Sequence, residues 1–236
     1  MIVPAGRIGS AADPVADGHR HLVVFDVNVY LDAAFLTGAP FSWESFDAIA
    51  ASIAQVSVPH PNGDYDSLRA IATCQSGTFA GAETVEVFTN DHIEDMVHAK
   101  AQHPVVPAPG SDLKGLGWNR ADADALLEGF VWEVGNRSAG GCVPTDAPDG
   151  NPPLDHEDGM VFGACKYLAS EDPLATVYCV TRDRPFLEAA KLGKLAQRPH
   201  ESSPPRDVRR VSARSASKPW SQTYAPRRTG APMTST

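Results

Sequence analysis

The chain has 236 residues, 42% of them apolar, and a net charge of −9. This suffices for one domain with extensions or two small ones, and no run approaches the ~18–20 apolar residues of a membrane-spanning helix. The charge is uneven: residues 1–190 hold 10 Lys and Arg against 27 Asp and Glu, whereas residues 191–236 hold 10 against 2, so a basic tail follows an acidic body.

Residues 1–20 are rich in Gly, Ala and Asp and read as a flexible arm with no apolar segment of the kind a secretion signal needs. Cys74, Cys142, Cys165 and Cys179 form no C-x-x-C pair, and the eight histidines show no zinc spacing. Reduced thiols and a cytoplasmic location are expected.

His21–Tyr30 reads as a buried strand, because Leu22, Val23, Val24 and Phe25 are consecutive and apolar. Helical spacing follows in 43–56, with Ser42 as N-cap, and a short helix is expected over 66–74 after the turn-rich 59–66. Residues 84–90 alternate as a strand does. Asn90 or Asp91 then caps a helix through residue 101, and Asn119 caps another running to about Val134. The Gly/Pro-rich 138–154 reads as loop. A helix from Asp155 or Asp158 to Leu168, the strand 176–180 and a helix over 185–196 complete a domain spanning 21–195. Residues 196–236, rich in Ser, Pro, Arg and Thr, are expected to be disordered. Alternating strands and helices predict an α/β fold with a mostly parallel central sheet flanked by helices.

In such sheets ligands sit outside the carboxyl ends of the strands. Asp26 follows the first apolar run and Asp183 follows the last strand, so both fall on one edge. Asp155, Glu157 and Asp158 start the intervening helix, and Glu94 and Asp95 lie near the start of an earlier one. Converging carboxylates repel and take up protons unless a cation intervenes. An all-oxygen set suits Mg²⁺ or Mn²⁺, which would polarise a phosphate and activate a water against it. Asn28 and Thr181 would orient the carboxylates or the scissile group.

The segments VVFDVNVYLDA, TNDHIEDMV, DHEDGMVFGA and VYCVTRDRPFL occur in this order and resemble a PIN domain, the nuclease fold of VapC-like toxin ribonucleases. The resemblance covers roughly residues 21–195 and implies a three-layer PIN-like fold. It matches Asp26 to the first family aspartate and Asn28 to its neighbour. Asp158 matches the acid that starts the penultimate helix, Asp183 the last acid, and Thr181 the threonine before it. Asp95 is the best match to the second family acid, with Glu94 as the near alternative. The resemblance implies catalytic roles for Asp26, Asp95, Asp158, Asp183, Asn28 and Thr181, with Asp26, Asp158 and Asp183 as ligands of Mg²⁺ or Mn²⁺. The implied activity is an endoribonuclease acting on RNA, the toxin of a toxin–antitoxin pair, with an antitoxin protein as partner and often a homodimer. The chain is longer than the compact toxins of this fold, and Asp for Glu at the second position departs from the family pattern. The competing expectation is a catalytically silent PIN-like module that holds a metal or a partner protein.

Overall fold

The computed structural model describes residues 20–56, 61–75, 78–79, 83–106, 115–145, 147–172, 174–191 and 212–215. The arm over 1–19 and most of the basic tail lie outside these residues. The parallel core of the sheet runs in the order β4-β3-β1-β5, comprising β1 (Arg20–Phe25), β3 (Glu83–Asn90), β4 (Gly141–Val143) and β5 (Thr176–Thr181). A two-residue β2 (Thr78–Phe79) pairs antiparallel with the start of β3. β6 (Ser212–Ser215) adds a parallel strand beside β5. Leu22–Phe25 are all buried, so both faces of the central strand are covered.

Several boundaries differ from expectation. The strand expected over 21–30 stops at Phe25, and Val27–Thr37 forms α1. The β-branched run VNVYL favours a strand locally. Packing overrides that preference: Val27, Val29, Tyr30, Leu31, Ala33 and Ala34 are all buried along the helix. Gly38, with φ of 77°, closes α1 and donates to the carbonyl of Ala34. α2 (Trp43–Ile53) has the expected Ser42 cap, whose side chain accepts from the Ser45 N–H. α3 (Gly63–Cys74) starts three residues earlier than expected, because Asn62 caps it through Asp64.

α4 (Asp91–Gln102) is capped by Asn90. The helix expected to run from Asn119 is broken into α5 (Arg120–Leu126), a π-helical turn over Leu127–Val131 and α6 (Trp132–Arg137). The turn carries Phe130 into contact with Phe41, Trp43, Phe46 and Tyr30. The stretch read as loop over 138–154 contains β4. Gly140 makes that strand possible, since a Cβ there would lie 1.8 Å from the Val87 carbonyl oxygen. α7 (His156–Glu171) is three residues longer than expected, and α8 (Arg184–Lys191) is the described part of the last helix. Within the tail expected to be disordered, Ser212–Ser215 pair parallel with β5; the remaining residues of 196–236 lie outside the described residues. Among the described residues no helix is long and apolar enough to cross a membrane.

Candidate functional site

Register places the chemistry. Phe25 pairs with Val180, so Asp26 emerges from the sheet beside Thr181. The Asp26 backbone N–H bonds the Val180 carbonyl at 2.9 Å, and its carbonyl accepts from Val29 to open α1. Asp26 thus holds the N-cap position with its backbone alone, and its side chain makes no capping bond. By contrast, the side chains of Ser42, Asn62, Asn90, Asn119 and Asp155 all cap their helices. The Asp26 carboxylate therefore serves something other than helix capping.

That carboxylate is 1% exposed. The Thr181 hydroxyl donates to its Oδ2 at 2.7 Å, and the Asn28 amide donates to the same oxygen at 3.5 Å. The Thr181 oxygen in turn accepts from the Asp183 backbone N–H at 2.9 Å, which links the ends of β1 and β5. Asp183 also accepts from the Phe186 N–H at 3.2 Å, so it caps α8 as well as facing the cluster. Asp158 sits in the first turn of α7. Its backbone N–H bonds Asp155, and this leaves capping to Asp155 and the Asp158 carboxylate to the site.

The electrostatics bind the three aspartates into one group. Burial pushes Asp26 up to about 6 against the opposing Thr181 hydrogen bond; Glu157 and Asp183 add to the rise and Lys100 counters it. Burial, then Asp26, Asp183, Asp155 and Glu157, push Asp158 up to about 7. Lys100 is the cation beside them, and it is ion-paired with Glu157. Sequence reasoning missed this pair, although Lys100 is the only Lys or Arg between Arg69 and Lys114.

Asp26, Asn28, Asp158, Thr181 and Asp183 are thus brought together, and Asp95 is not. Asp95 is exposed on α4, beside His92 and Glu94, on which its charge acts. Glu94 turns the other way, half-buried, and lines a cavity with Trp132 and Cys142. His92 meets His156 edge to face at 5.8 Å on the rim, where burial lowers the tendency of His92 to charge.

A second acidic group adjoins the first. Arg182, between Thr181 and Asp183, pairs with Asp32 of α1 and with Asp64 of α3 at 2.8 Å. The Ser67 hydroxyl donates to Asp32 at 2.6 Å. A Cβ on Gly63 would lie 2.5 Å from the Arg182 guanidinium, so the clamp uses a glycine at that crossing.

The donor chemistry of Asp26, Asp158 and Asp183 fits a hard divalent cation: three carboxylates, two of them raised by burial first and by neighbouring carboxylates after it. Among the described residues, no three His, Cys, Asp or Glu side chains converge closely enough, as they stand, to hold a metal ion. No protein-family model matches the chain, and neither a curated protein nor a solved structure does.

Proposed function

We propose that the chain is a PIN-like, metal-dependent endoribonuclease that hydrolyses RNA phosphodiester bonds. The observation that carries this reading is the placement of Asp26, Asp158 and Asp183 at the end of β1, in the first turn of α7 and just after β5, with the Thr181 hydroxyl joining Asp26 to the Asp183 backbone. Three buried or half-buried carboxylates at the carboxyl edge of a parallel sheet are unfavourable for an empty fold and suited to a cation.

Asp26, Asp158 and Asp183 would hold Mg²⁺ or Mn²⁺. When bound, such an ion polarises a phosphate and lowers the pKa of a water beside it. The chain's own residues prepare the site. Thr181 fixes Asp26 and the Asp183 backbone with one hydroxyl. Asn28 supplies a neutral donor to Asp26. Lys100, held by Glu157, puts a positive charge near Asp26. Asp95 is left an outer, rim role. Within the ribonuclease class we assign the chain the toxin role of a toxin–antitoxin pair, with an antitoxin protein as partner; a small adjacent antitoxin frame is the observation that checks it. A homodimer is part of the same proposal and is read by light scattering.

The test is incubation of the protein with structured RNAs and Mn²⁺ or Mg²⁺, beside Asp26→Asn. Cleavage by the parent that disappears in the variant and in chelator supports the reading. Absence of both cleavage and Mn²⁺ binding removes it. The alternative is a catalytically silent PIN-like module that holds a metal or a partner protein. Mn²⁺ binding without cleavage of any RNA would select that alternative.

A further inference from the structure

The register of β6 divides the basic tail into two parts. Tyr178, Cys179, Val180 and Thr181 of β5 pair in parallel with Ser212, Ala213, Arg214 and Ser215. The chain therefore runs into β6 from the direction of the amino edge and leaves it at the carboxyl edge, level with Thr181. Thr181 is the residue whose hydroxyl joins Asp26 to the Asp183 backbone. Ser215 lies one strand spacing from it, about 4.8 Å. Lys218 is three residues further along the chain, a reach of at most about 11 Å. The segment that follows β6 thus starts beside the carboxylate cluster, and the segment that precedes it does not.

The two segments also differ in composition. Before β6, residues 192–211 hold five Lys and Arg against two acids, Glu201 and Asp207. After it, residues 216–236 hold Lys218, Arg227 and Arg228 and no acid, with Trp220 and Tyr224 between the cations. Both segments lie outside the described residues, and β6 sets where each of them meets the sheet.

The carboxyl edge is short of cations for a polyanion. Residues 1–190 carry 27 Asp and Glu against 10 Lys and Arg, a balance that repels RNA. Around the cluster, Lys100 is ion-paired with Glu157, and Arg182 with Asp32 and Asp64. Arg184, exposed at the start of α8, adds one cation there. Holding an RNA backbone takes several, one for each phosphate neutralised. Cations without acids, interleaved with aromatic rings on which unpaired bases stack, match a single-stranded RNA better than they match the carboxylates, which give a ring nothing to stack on.

We propose that residues 216–236 are an RNA-holding arm of the site: β6 anchors it beside Thr181, Lys218, Arg227 and Arg228 take backbone phosphates of a single-stranded RNA, and Trp220 and Tyr224 stack on its bases. β6 is then the element that selects which part of the tail meets the substrate. The inference deepens the ribonuclease reading and rests on it for that substrate.

The experiment titrates a fluorescein-labelled single-stranded RNA with the full chain, read by anisotropy over a series of salt concentrations. Every protein carries Asp26→Asn, so that the probe survives in Mg²⁺. Two triple variants remove equal charge: Lys218→Gln with Arg227→Gln and Arg228→Gln after β6, and Arg206→Gln with Arg209→Gln and Arg210→Gln before it. Each phosphate contact on a single strand contributes about 0.7 to the slope of log affinity against log salt. The first set is expected to flatten that slope by about 2 and to weaken binding about tenfold or more at physiological salt, and the second to change the slope by less than about 0.5. Equal losses from the two sets would show a tail that attracts RNA by charge alone, with no delivery by β6, and would overturn the proposal. Tighter binding in the first set would overturn it as well, since the tail would then lie on the carboxylates and compete with RNA. Cleavage by the parent chain combined with equal losses keeps the nuclease and removes the arm. Unequal losses in a protein whose parent neither cleaves RNA nor binds Mn²⁺ keep the arm and remove the nuclease.

Discussion

Two groups of aspartates meet on either side of one short loop, and they differ in a single respect. Asp32 and Asp64 share the guanidinium of Arg182. Asp26, Asp158 and Asp183, which begin one residue away, share no such fork and have only the more distant Lys100, itself committed to Glu157. Burial raises Asp32 and Asp64 adds to the rise, while Ser67 and Arg182 oppose it without cancelling it. Burial raises Asp158 to about 7, and every neighbouring carboxylate pushes the same way. The first group is an internal clamp that ties α1 and α3 to the end of β5. The second has the composition of a site whose positive charge comes from outside. Similar residues at one sheet edge therefore carry opposite roles, set by where the chain placed its arginine.

The largest test of this contrast is Asp26→Asn. It keeps the shape of the side chain and an acceptor for Thr181, while removing one of the three charges. Loss of RNA cleavage by about a thousandfold or more is expected, in line with the transition-state stabilisation a metal site supplies. Mn²⁺ affinity measured by calorimetry should fall with it. In the clamp, Asp32→Asn should leave Mn²⁺ affinity almost unchanged. Equal losses in the two variants would dissolve the distinction.

The second test is pH. A carboxyl raised in the fold favours the protonated protein, so its contribution to stability is complete below the unfolded value near 3.9 and is lost as pH rises through the folded value. For Asp26 the window runs from about 4 to about 6; for Asp158 it extends to about 7. The gap for Asp26 corresponds to on the order of 3 kcal/mol. Urea unfolding in chelator should show the protein weakening between about pH 4 and about pH 7. Asp26→Asn should lose much of that slope and be the more stable of the two at pH 7.5. Mn²⁺ should flatten the slope of the parent protein. A parent and variant with parallel profiles would mean that Asp26 is not held in the way described.

The clamp gives the third and smaller effect. Arg182→Met leaves Asp32 half-buried with only Ser67, and should destabilise by about 1–3 kcal/mol. The telling readout is again the pH profile: without its arginine, the acid-favouring slope that the raised Asp32 already contributes should steepen toward that of the neighbouring cluster. Gly63→Ala, which presses a Cβ on the guanidinium, should move the profile the same way by a lesser amount.

Much of the acidic edge was legible before folding, and the reason is geometric. A parallel strand announces itself as an apolar run, and residues that close it or follow it fall near the carboxyl edge; Asp26 and Asp183 were placed there in that way, although the first strand was expected to continue to Tyr30 and stops at Phe25. Counter-charges were not legible. Arg182 reaches residues 118 and 150 positions away, and Lys100 reaches Glu157 across 57, separations that no local pattern encodes. The choice between Glu94 and Asp95 was equally hidden, because adjacent helical residues point about 100° apart, and only packing decides which of them meets Trp132. The β-branched start of α1 misled in the opposite direction, since burial on all sides made a helix of residues that locally prefer a strand. Asp95→Asn follows from this correction: cleavage should change by no more than about threefold, and a loss comparable to that of Asp26→Asn would restore Asp95 to the centre of the site.

The smallest effect belongs to Lys100, and it has a direction that a merely structural role would not produce. Its charge opposes the rise in Asp26, and its ion pair occupies Glu157, one residue before Asp158. Lys100→Met removes the positive charge and releases a carboxylate beside the cluster, so both consequences make the site more negative. Mn²⁺ should then bind a few-fold tighter, because a like charge no longer competes with it. Packing is kept by the methionine stem, which covers the apolar surface the lysine chain covered. Tighter Mn²⁺ binding with unchanged folding would place Lys100 as the cluster's partial internal cation, weaker than Arg182 because it acts at a distance. Looser binding would show instead that Lys100 holds α4 and α7 in register, and that the contrast between clamp and cluster rests on Arg182 alone.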